Sequence, residues 1–426
     1  MTKLIRSLII ARFPPMQPLE GVFGSIRRQN LFLSAIRSLS HEIEYAWFAP
    51  SSAIEDLGPL VQHEAALSSE WGLSVRLSPI VERGQRRKTM WTVYGAGALS
   101  AWEQADFYHS TGPYQVARVA ESLARHPDLI FVSRLMAMGA LMRTGAKPAR
   151  LFFDLDDIEH RKLIRTTKEP PHGPGKLLYA AHVPPLLLAE RHAARMANAT
   201  FVCSEEDQRY LRRIGMDQGV TVVPNGLPVP ANPAPPCPDP TILFLGNYGY
   251  EPNRLAADRL VARIFPLIRK QVPSARLVIA GGSPERIASF RSAPPGVEFT
   301  GFVQDLDKLY AESRVIACPV TVGTGTRLKL VEAASYGRPM VSTRLGAEGL
   351  AFENGREIVL RDDDEGFATA CANLLHDDAA CARLGMAARA RMKASYAAEG
   401  IVDQIAGIMG RSSQTRPSPH DNAEKD

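Results

Sequence analysis

The residue types best suited to chemistry occur together in residues 319–339, PVTVGTGTRLKLVEAASYGRP. An apolar run ends near Pro319, a loop of glycine and threonine follows, and the pattern then predicts a helix that opens around Thr326. The Thr326 hydroxyl can accept a backbone N–H of the first turn, which makes it the predicted N-cap. Gly323 and Gly325 permit close approach of the backbone to a ligand. The segment therefore predicts a helix N-terminus whose amides face a bound anion.

Two cations follow these glycines. Arg327 and Lys329 lie in the first predicted turn, where positive charge opposes the helix dipole unless an anion is present, and a diphosphate would supply one. Glu332 follows about 8 Å along the helix from its start, where its carboxylate can accept hydrogen bonds from ribose hydroxyls. The alternative is that the two cations are solvated surface charges and Glu332 is an ordinary helix residue. The cluster as a whole favours binding of a nucleoside diphosphate.

A second group of candidate residues, FFDLDD, ends a strand predicted over residues 150–154. Asp154 closes the strand, and Asp156 is expected to project towards a ligand at the carboxyl end of the sheet. Either carboxylate can orient an acceptor hydroxyl. Three carboxylates, with Asp157 included, also suit the start of a helix near Ile158, so both interpretations stay open.

The long loop after the first predicted strand is a third candidate. It contains Gly21 and Gly24, and the helix that follows carries Arg27 and Arg28. The glycines either let the backbone approach donor phosphates or acceptor, or only shape the loop. We assign Gly21, Gly24 and Arg27 to the acceptor side, together with Asp154.

Apolar strand-like runs alternate with helical patterns around these candidates, which predicts βαβ units and parallel sheets. Strands are predicted over residues 4–11, 43–48, 129–132, 150–154, 200–203 and 220–223, and then over 241–245, 276–280, 297–300, 315–319 and 340–343. Helices are predicted over residues 25–39, about 252–271, and much of 365–410. Because ligands bind at the carboxyl ends of such strands, we expect an α/β protein with two Rossmann-like doubly wound domains that face each other across a cleft.

A proline-rich stretch separates the two series of strands. We predict a Rossmann-like acceptor-side domain over residues 1–228, a linker over 229–240 and a nucleotide-binding domain over 241–395. A C-terminal helix over residues 396–410 is expected to pack back on the first domain. The polar tail, residues 411–426, is expected to be disordered.

Composition narrows the possible environments. The chain has 426 residues, of which 45% are apolar and 22% charged, and a net charge of +5. Its five cysteines form no CxxC pair, which argues against a disulfide framework or zinc cluster and favours the cytoplasm. The start, MTKLIRSLIIARF, is interrupted by Arg6 and Arg12 and predicts a strand better than a signal peptide. No run approaches the roughly 18 to 20 apolar residues of a membrane span.

Three further patterns resemble functional motifs but have simpler structural explanations. Residues 95–97 (GAG) lack the third glycine of a dinucleotide fingerprint, and we predict a loop there. Asp362, Asp363 and Asp364 precede a helical pattern and are expected to mark its start instead of a metal site. The basic run at residues 83–88, RGQRRK, is either a solvated loop or a contact with anionic lipid headgroups.

The second half resembles retaining glycosyltransferases of family 4, which have the GT-B fold, and most of all an exopolysaccharide-type branch. The matching stretches are LFLGNYGYEPN, ARLVIAGG, VEFTGFVQD, GTGTRLKLVEAASYGRPMVST and GAEGL. The resemblance covers residues 241–391 and is weaker upstream, where VPNG, FFDLDD and FVCSEED also fit.

The resemblance implies a role for each matching residue. Gly246 and Asn247 would line the donor phosphate and sugar, Gly281 and Gly282 would form the second turn, and Phe302 and Val303 would hold the nucleobase. Gly325 and Thr326 would offer amides to the diphosphate, Arg327 and Lys329 would neutralise it, and Glu332 would bind ribose. We include Asp156, Arg327 and Lys329 as the candidate catalytic residues.

This sequence departs from the family pattern at three places. The first glutamate of the family's glutamate pair is replaced by Thr324, which would lie at the donor sugar. The arginine and lysine that many members place after the first glycine are absent, since Gly246 is followed by Asn247. Where many members have a histidine, this chain has the turn Ser133–Arg134.

The resemblance implies transfer of a sugar, with retention and without a metal, from a nucleotide-diphosphate sugar to a glycan or lipid-linked hydroxyl of surface polysaccharide synthesis. No cofactor is expected besides this co-substrate. A cytoplasmic protein is expected, with peripheral contact to an anionic inner membrane as an option and no nucleic-acid partner. The alternatives are a GT-B nucleotide-sugar epimerase and a non-catalytic nucleotide-sugar-binding subunit.

Overall fold

Two parallel β-sheets, each covered by helices on both faces, form the protein. The structure is a computed structural model, and it describes residues 5–15, 24–84, 90–104, 106–168 and 173–411. Gly21, most of the basic run and all but the first residue of the predicted tail lie outside these ranges. The parallel sheets confirm the predicted α/β fold class with two doubly wound halves.

The first sheet has seven strands in the order β3-β2-β1-β4-β5-β6-β7. The strands are β1 Ile5–Ala11, β2 Ser40–Ala49, β3 Ser74–Val81, β4 Leu129–Ser133, β5 Leu151–Asp156, β6 Ala199–Val202 and β7 Val220–Val222. All neighbours are parallel, with Ile9 opposite both Tyr45 and Phe131. The carboxyl ends of β4, β5 and β6 therefore lie side by side at one edge.

The second sheet has six strands in the order β10-β9-β8-β11-β12-β13. The strands are β8 Thr241–Leu245, β9 Arg276–Ala280, β10 Val297–Gly301, β11 Val315–Cys318, β12 Met340–Ser342 and β13 Val359–Leu360. The order reverses direction at the β8–β11 pair, which is where ligands bind in sheets of this kind.

Helices connect the strands and cover both faces of each sheet. In the first half they are α1 Gly24–Leu39, α2 Ser51–Glu55, α3 Leu60–Trp71, α4 Met90–Leu99, α5 Pro113–Leu123, α6 Arg134–Arg143, α7 Glu159–Lys168, α8 Pro174–Ala180, α9 Val183–Met196 and α10 Glu205–Arg213. In the second half they are α11 Glu251–Arg259, α12 Phe265–Gln271, α13 Leu306–Ala311, α14 Leu328–Ser335, α15 Asp364–His376, α16 Asp378–Ser395 and α17 Ala398–Arg411. A π-helical turn, Leu260–Ile264, joins α11 to α12.

The predicted elements differ from the observed ones in three places. Strands β3 and β13 were absent from the prediction: β3 is an edge strand that contains Pro79, and β13 has only two residues. The predicted loop at residues 95–97 is wrong, since these residues lie within α4. Packing of α4 against α9 outweighs the low helix propensity of its two glycines.

The chain crosses between the two halves at two adjacent points. The Leu227 amide donates to the Tyr396 carbonyl over 2.9 Å, and the Ala398 amide donates to the Leu227 carbonyl over 3.0 Å. Beyond this crossing, α17 places Ile401, Ile405 and Met409 in the core of the first domain. The last helix therefore belongs, by packing, to the first domain.

Among the residues described above, no helix is both long enough and apolar enough to cross a bilayer.

Candidate functional site

A cleft lies between the carboxyl ends of the two sheets. From the first domain it is lined by the ends of β5 and β6 and by α7, and from the second by the loop before α14 and by the segment after β12. The residues that line the cleft include Asp156, Asp157, Arg161, Arg165, Cys203, Thr324, Gly325, Thr326 and Glu348.

The loop that leads into α14 has a different N-terminus from the one predicted. The helix starts at Leu328 with Arg327 in the N-cap position and no side-chain cap. The Thr326 hydroxyl instead accepts a hydrogen bond of 2.8 Å from the Asn225 side-chain amide. The N-cap prediction for Thr326 is therefore wrong, because a tertiary partner takes up the hydroxyl.

Arg327 folds back onto its own loop. Its guanidinium donates to the carbonyls of Thr324 (2.7 Å), Val322 (3.4 Å) and Gly325. The side chain is buried, and Gly325 adopts a positive φ of 83° that lets the loop close around it. In the described structure Arg327 therefore organises the loop, whereas the predicted role was neutralisation of a diphosphate.

Lys329 is the cation that this loop places beside the glycine turns of the second domain. Its Nζ donates to the Asn253 side chain over 2.8 Å and lies 4.2 Å from the centre of the Phe244 ring. A Cβ added to Gly246 would lie 3.1 Å from the same Nζ. Burial lowers the pKa of Lys329 to about 8. Within the part of the chain that the structure describes, Lys329 forms no salt bridge.

Glu332 lies one turn further along α14 and is held from both domains. Its Oε1 accepts a hydrogen bond of 2.9 Å from Arg27 on α1, and its Oε2 accepts one of 3.2 Å from the Tyr310 hydroxyl. The Tyr310 ring stacks on Tyr336, with centroids 4.3 Å apart. The carboxylate is thus oriented by hydrogen bonds from both sides of the cleft.

A cavity of about 1110 Å³ opens beside Glu332. It lies between α1, the proline-rich segment that follows Gly226, the start of α13, and α17. From the second domain it is lined by Leu306, Asp307 and Tyr336 among others. Phe302 and Val303, the predicted nucleobase residues, are not among the described residues that line it, and Phe302 is 59% exposed.

The other predicted donor-side residues form two adjoining turns at the same end of the sheet. The Gly246 amide donates to the Ala280 carbonyl over 2.9 Å, and the Tyr248 amide donates to the Gly282 carbonyl over 2.9 Å. Gly281 has a φ of 124°, and a Cβ there would lie 1.8 Å from the Gly246 carbonyl oxygen. The Asn247 side chain accepts from the Gly249 amide over 2.8 Å. The structure therefore brings these turns together with Lys329.

Asp154 does not reach the cleft. It is buried, and both of its carboxylate oxygens accept hydrogen bonds from Arg28, at distances between 2.7 and 3.0 Å. Arg28 also donates to the Val223 carbonyl over 2.6 Å. The predicted acceptor contact of Asp154 is corrected to a role inside the first domain, because Arg28 uses both oxygens.

Asp156 lines the cleft, as predicted, and is held by a residue that the sequence interpretation left without a role. Arg134 donates to Asp156 Oδ2 over 2.6 and 3.1 Å. Both residues have positive φ, 74° for Arg134 and 55° for Asp156, which is unusual outside glycine and clusters at functional sites. Burial raises the pKa of Asp156, but the positive charges of Arg134 and Arg28 lower it by a larger amount. The pKa of Asp156 therefore lies below its usual value. The carboxylate therefore stays ionised.

Asp157 also lines the cleft, although the sequence interpretation included it only as one of three carboxylates that suit a helix start. Its Oδ2 lies 3.5 Å from Arg134, and its Oδ1 would lie 3.1 Å from a Cβ on Gly325. Burial and the neighbouring Asp156 raise its pKa. The sequence signal for Arg134 and Asp157 was their position: Arg134 directly follows β4 and Asp157 directly follows β5, at the edge of the sheet where ligands bind.

Two further contacts join the domains around this cleft. A Cβ on Gly24 would lie 2.9 Å from a methyl group of Leu328, so α1 and α14 begin close together. Arg165 on α7 forms a two-pronged ion pair with Glu348, which Arg161 approaches to 3.5 Å. We call Arg161, Arg165 and Glu348 the interdomain clasp.

The acidic run at residues 362–364 lies at the start of α15, as predicted. Asp363 caps α15 by accepting the Gly366 amide over 2.6 Å, and Asp364 pairs with Arg259 over 2.7 Å. Across the described ranges, no group of three or more His, Cys, Asp or Glu side chains is arranged to hold a metal ion.

Comparison with known proteins identifies the half of the chain that carries the glycine turns, Lys329 and Glu332. Residues 239–377 match the family model described as glycosyl transferases group 1. The second domain is a group 1 glycosyltransferase domain. This confirms the predicted family resemblance, and the group 1 domain contains every residue assigned to the donor side.

Two curated relatives are similar over part of the chain. One is a GDP-mannose-dependent α-(1-6)-phosphatidylinositol monomannoside mannosyltransferase of Mycolicibacterium smegmatis, 28% identical over 45% of this chain and 56% of its own length. The other is an uncharacterised 44.6 kDa protein in the cps region of Klebsiella pneumoniae, 26% identical over 30% of this chain and 35% of its own. The chain thus matches about a third to about half of the length of these relatives.

Solved structures resemble the whole chain. HepE of Anabaena in complex with UDP and glucose has a TM-score of 0.62 at 16% identity, over 96% of this chain and 100% of that one. Sucrose-phosphate synthase of Thermosynechococcus elongatus has a TM-score of 0.66 at 17% identity, over 95% of this chain and 98% of that one. Together with the two parallel sheets, these similarities confirm the predicted GT-B fold around the group 1 domain.

Proposed function

We propose that the chain transfers a sugar from a nucleoside-diphosphate sugar to a hydroxyl of a glycan or lipid-linked acceptor, with retention and without a metal. The observation that carries this proposal is the desolvated ammonium of Lys329, which lies beside Gly246 and, among the residues that the structure describes, has the neutral Asn253 as its hydrogen-bond partner and no salt bridge. A buried cation is costly unless a negative charge is near. The diphosphate of the donor supplies that charge.

The start of α14 supports the same position for the diphosphate. The amides ahead of Leu330, which donates to the Arg327 carbonyl, have no acceptor within the helix, and Arg327 at the N-cap position forms no side-chain cap. As the bond between the anomeric carbon and the phosphate oxygen breaks, negative charge develops on the departing diphosphate. Helix amides and Lys329 stabilise that charge, which accelerates the step if they act more strongly on the transition state than on the bound donor.

Glu332 and the cavity beside it suit the nucleoside. A carboxylate oxygen accepts more than one hydrogen bond, so Glu332 can bind ribose hydroxyls while it keeps Arg27 and Tyr310. The base then enters the cavity lined by Leu306 and Tyr336. Because HepE was crystallised with UDP and the mycobacterial relative is named for GDP-mannose, UDP- and GDP-sugars are the first donors to test.

The first domain presents the acceptor. Asp156 is held ionised by Arg134, and Asp157 faces the loop at Gly325, so these carboxylates can accept hydrogen bonds from sugar or acceptor hydroxyls. In the proposed step the acceptor oxygen attacks the anomeric carbon on the face that the diphosphate leaves. The hydroxyl proton passes to the departing phosphate oxygen, and closure of the cleft excludes competing water.

The first experiment measures binding and then transfer. Thermal-shift titrations with UDP, GDP, ADP and dTDP, each with and without a sugar, are expected to identify one base that stabilises the protein. Lys329→Ala should lose most of that stabilisation. Lys270→Ala, which changes an exposed lysine on α12, should retain it.

Transfer follows with the selected donor and a series of hydroxyl acceptors, and NMR of the product reports the anomeric configuration. An inverted product would remove the retaining mechanism. Binding without turnover would favour a non-catalytic subunit, and donor isomerisation without acceptor would favour an epimerase. Failure of all four diphosphates to bind would remove the donor site.

A further inference from the structure

Helices α8 and α9 form one nearly continuous helix on the surface of the first domain. The two residues between them keep right-handed helical angles, with φ −65° and ψ −19° at Ala181 and φ −83° and ψ −15° at His182. The Leu186 amide donates to the His182 carbonyl over 3.3 Å across the junction. Residues three and four apart therefore share a face through the junction.

One face of this helix is an exposed apolar stripe. Leu177, Ala181, Pro184 and Leu188 are all exposed, with Leu177 at 77% and Leu188 at 65%. At about 100° per residue, these four positions lie within about 60° of one another and extend for about 16 Å. Leu99, 89% exposed, ends the adjoining helix α4. We call these five residues the apolar stripe.

The exposed charges that α8 and α9 themselves bring to the apolar stripe are positive. Residues 173–196 contain a single acidic residue, Glu190, which is fully buried and bonded to His160. Every charged side chain that reaches solvent from this segment is therefore basic. Arg195 is exposed and lies two turns beyond Leu188 on the same face. An apolar helix face whose own exposed charges are basic is the pattern of helices that lie in the interface of anionic membranes, and the acidic Glu103 and Asp106 lie on the neighbouring segment after α4.

We propose that the apolar stripe docks the protein on an anionic lipid bilayer, with Leu99, Leu177 and Leu188 inserted among the headgroups and Arg195 on lipid phosphate. The inference goes beyond the proposed sugar transfer and does not depend on it. Charge complementarity favours lipid over a second copy of the chain, because a symmetric dimer through this face would bring basic groups together. Helix α7, which carries the clasp arginines, packs against α8, so the docked face adjoins the cleft.

The test is vesicle co-sedimentation of the full chain without nucleotide or sugar. We expect several times more protein to pellet with phosphatidylcholine vesicles that contain 30% phosphatidylglycerol than with phosphatidylcholine alone. Leu177→Ser with Leu188→Ser should lower the partition coefficient at least tenfold. Val61→Ser with Met386→Ser, two similarly exposed apolar residues on α3 and α16, should leave it unchanged. Arg195→Gln should lower it about fivefold, whereas Arg383→Gln on α16 should not.

Equal partition of the wild-type protein and the Leu177/Leu188 variant would overturn the proposal. So would equal binding to neutral and anionic vesicles. If the same variant instead abolishes a dimer seen by light scattering without lipid, the stripe is a self-association surface and the membrane proposal fails. Thermal melts of each variant confirm that it is folded, and because no donor is present, these outcomes are independent of whether the chain transfers a sugar.

Discussion

The Arg27 guanidinium on α1 donates a hydrogen bond to the Glu332 carboxylate on α14, across 2.9 Å between the two domains. The residue proposed to bind ribose is therefore also a link between the domains. If Glu332 binds the nucleoside as proposed, we expect binding and closure of the cleft to be coupled through this contact.

The first prediction concerns Glu332 itself. Glu332→Ala removes the acceptor for ribose and leaves the buried Tyr310 hydroxyl without its partner. Affinity for the preferred nucleoside diphosphate should fall about ten- to hundredfold, the loss of about 1.5–3 kcal/mol expected for hydrogen bonds to a charged group. Isothermal titration calorimetry measures the affinity. Glu298→Ala, which removes an exposed carboxylate paired with Arg276, is the matched control and should bind normally.

The second prediction is a pH dependence set by Lys329. Its pKa is lowered to about 8 by burial, so nucleotide affinity should fall as the pH rises through about 8, when the ammonium loses its proton. A bound diphosphate favours the charged form, so binding near pH 8 should take up a proton. Calorimetry in buffers of different ionisation enthalpy detects that uptake. Lys329→Arg should remove both effects, and their persistence in that variant would exclude Lys329 as the titrating group.

The same shift has a consequence for folding. The unfolded lysine titrates near its ordinary value of 10.5, so between about pH 8 and that value the unfolded chain binds more protons than the folded one. The contribution of Lys329 to the free energy of unfolding should therefore rise with pH across this window. Below pH 8 both states are protonated and the burial cost is present in full.

The third prediction concerns the buried pair Arg28–Asp154. Arg28→Met should lower the free energy of unfolding by about 3–5 kcal/mol, because it leaves the buried Asp154 carboxylate unpaired. The double variant Arg28→Met with Asp154→Leu should recover part of that loss. Arg276→Met, which breaks the exposed pair with Glu298, should cost no more than about 1 kcal/mol. Urea denaturation measures all three, and an equal cost at both sites would contradict the assignment.

The fourth prediction concerns the interdomain clasp. Glu348→Gln removes the charge that holds Arg165 and Arg161 of the other domain. The cleft should open more often, which small-angle scattering would record as a larger radius of gyration, and high salt should have the same effect on the wild-type protein. Glu312→Gln removes an exposed carboxylate at the C-terminal end of α13, where it pairs with Lys308. This variant should leave the scattering unchanged. Identical profiles for the two variants would exclude the clasp as a determinant of closure.

The fifth prediction compares two adjacent glycines. Gly281→Ala places a Cβ 1.8 Å from the Gly246 carbonyl oxygen at a φ of 124°, and should cost about 2–5 kcal/mol of stability as the two turns separate. Gly282→Ala meets nothing within 4 Å and should be nearly neutral. Nucleotide affinity should follow the same order. A thermal melt of each variant is sufficient, and similar melting temperatures would show that the two turns do not depend on close approach.

Most of the sheet strands could be predicted from the sequence because their cause is local. A buried parallel strand is an apolar run between turn signals, and the runs at Thr241–Leu245 and Arg276–Ala280 have the predicted bounds. The two strands that escaped prediction lack that pattern, since β3 contains Pro79 and β13 has two residues. The loop predicted at residues 95–97 failed because packing, and not propensity, forms α4.

The sequence predicted which residues would gather at the candidate site, from their types and their positions after strands. It did not predict which groups they would form hydrogen bonds with. Glycine loops, Lys329 and Glu332 follow strand ends in the sequence, and the fold brings them to one edge for that reason. The hydroxyl of Thr326 was expected to cap its own helix, yet it binds Asn225. The sequence assigned no contact to Arg134 or Asp157, whereas in the structure Arg134 donates to Asp156 and lies 3.5 Å from Asp157.

The amino-acid sequence alone determined the two series of strands, the glycine-rich loop before α14 and the family resemblance of the second domain, because these depend on periodicity and on turn chemistry between near neighbours. Only the tertiary structure decided the partners of the polar side chains. Asp154 pairs with Arg28, Arg327 donates to carbonyls of its own loop, and Arg27 donates to Glu332 of the other domain. A polar side chain that becomes buried must pair with whichever group the fold brings within about 3 Å, and that group can lie hundreds of residues away in the chain.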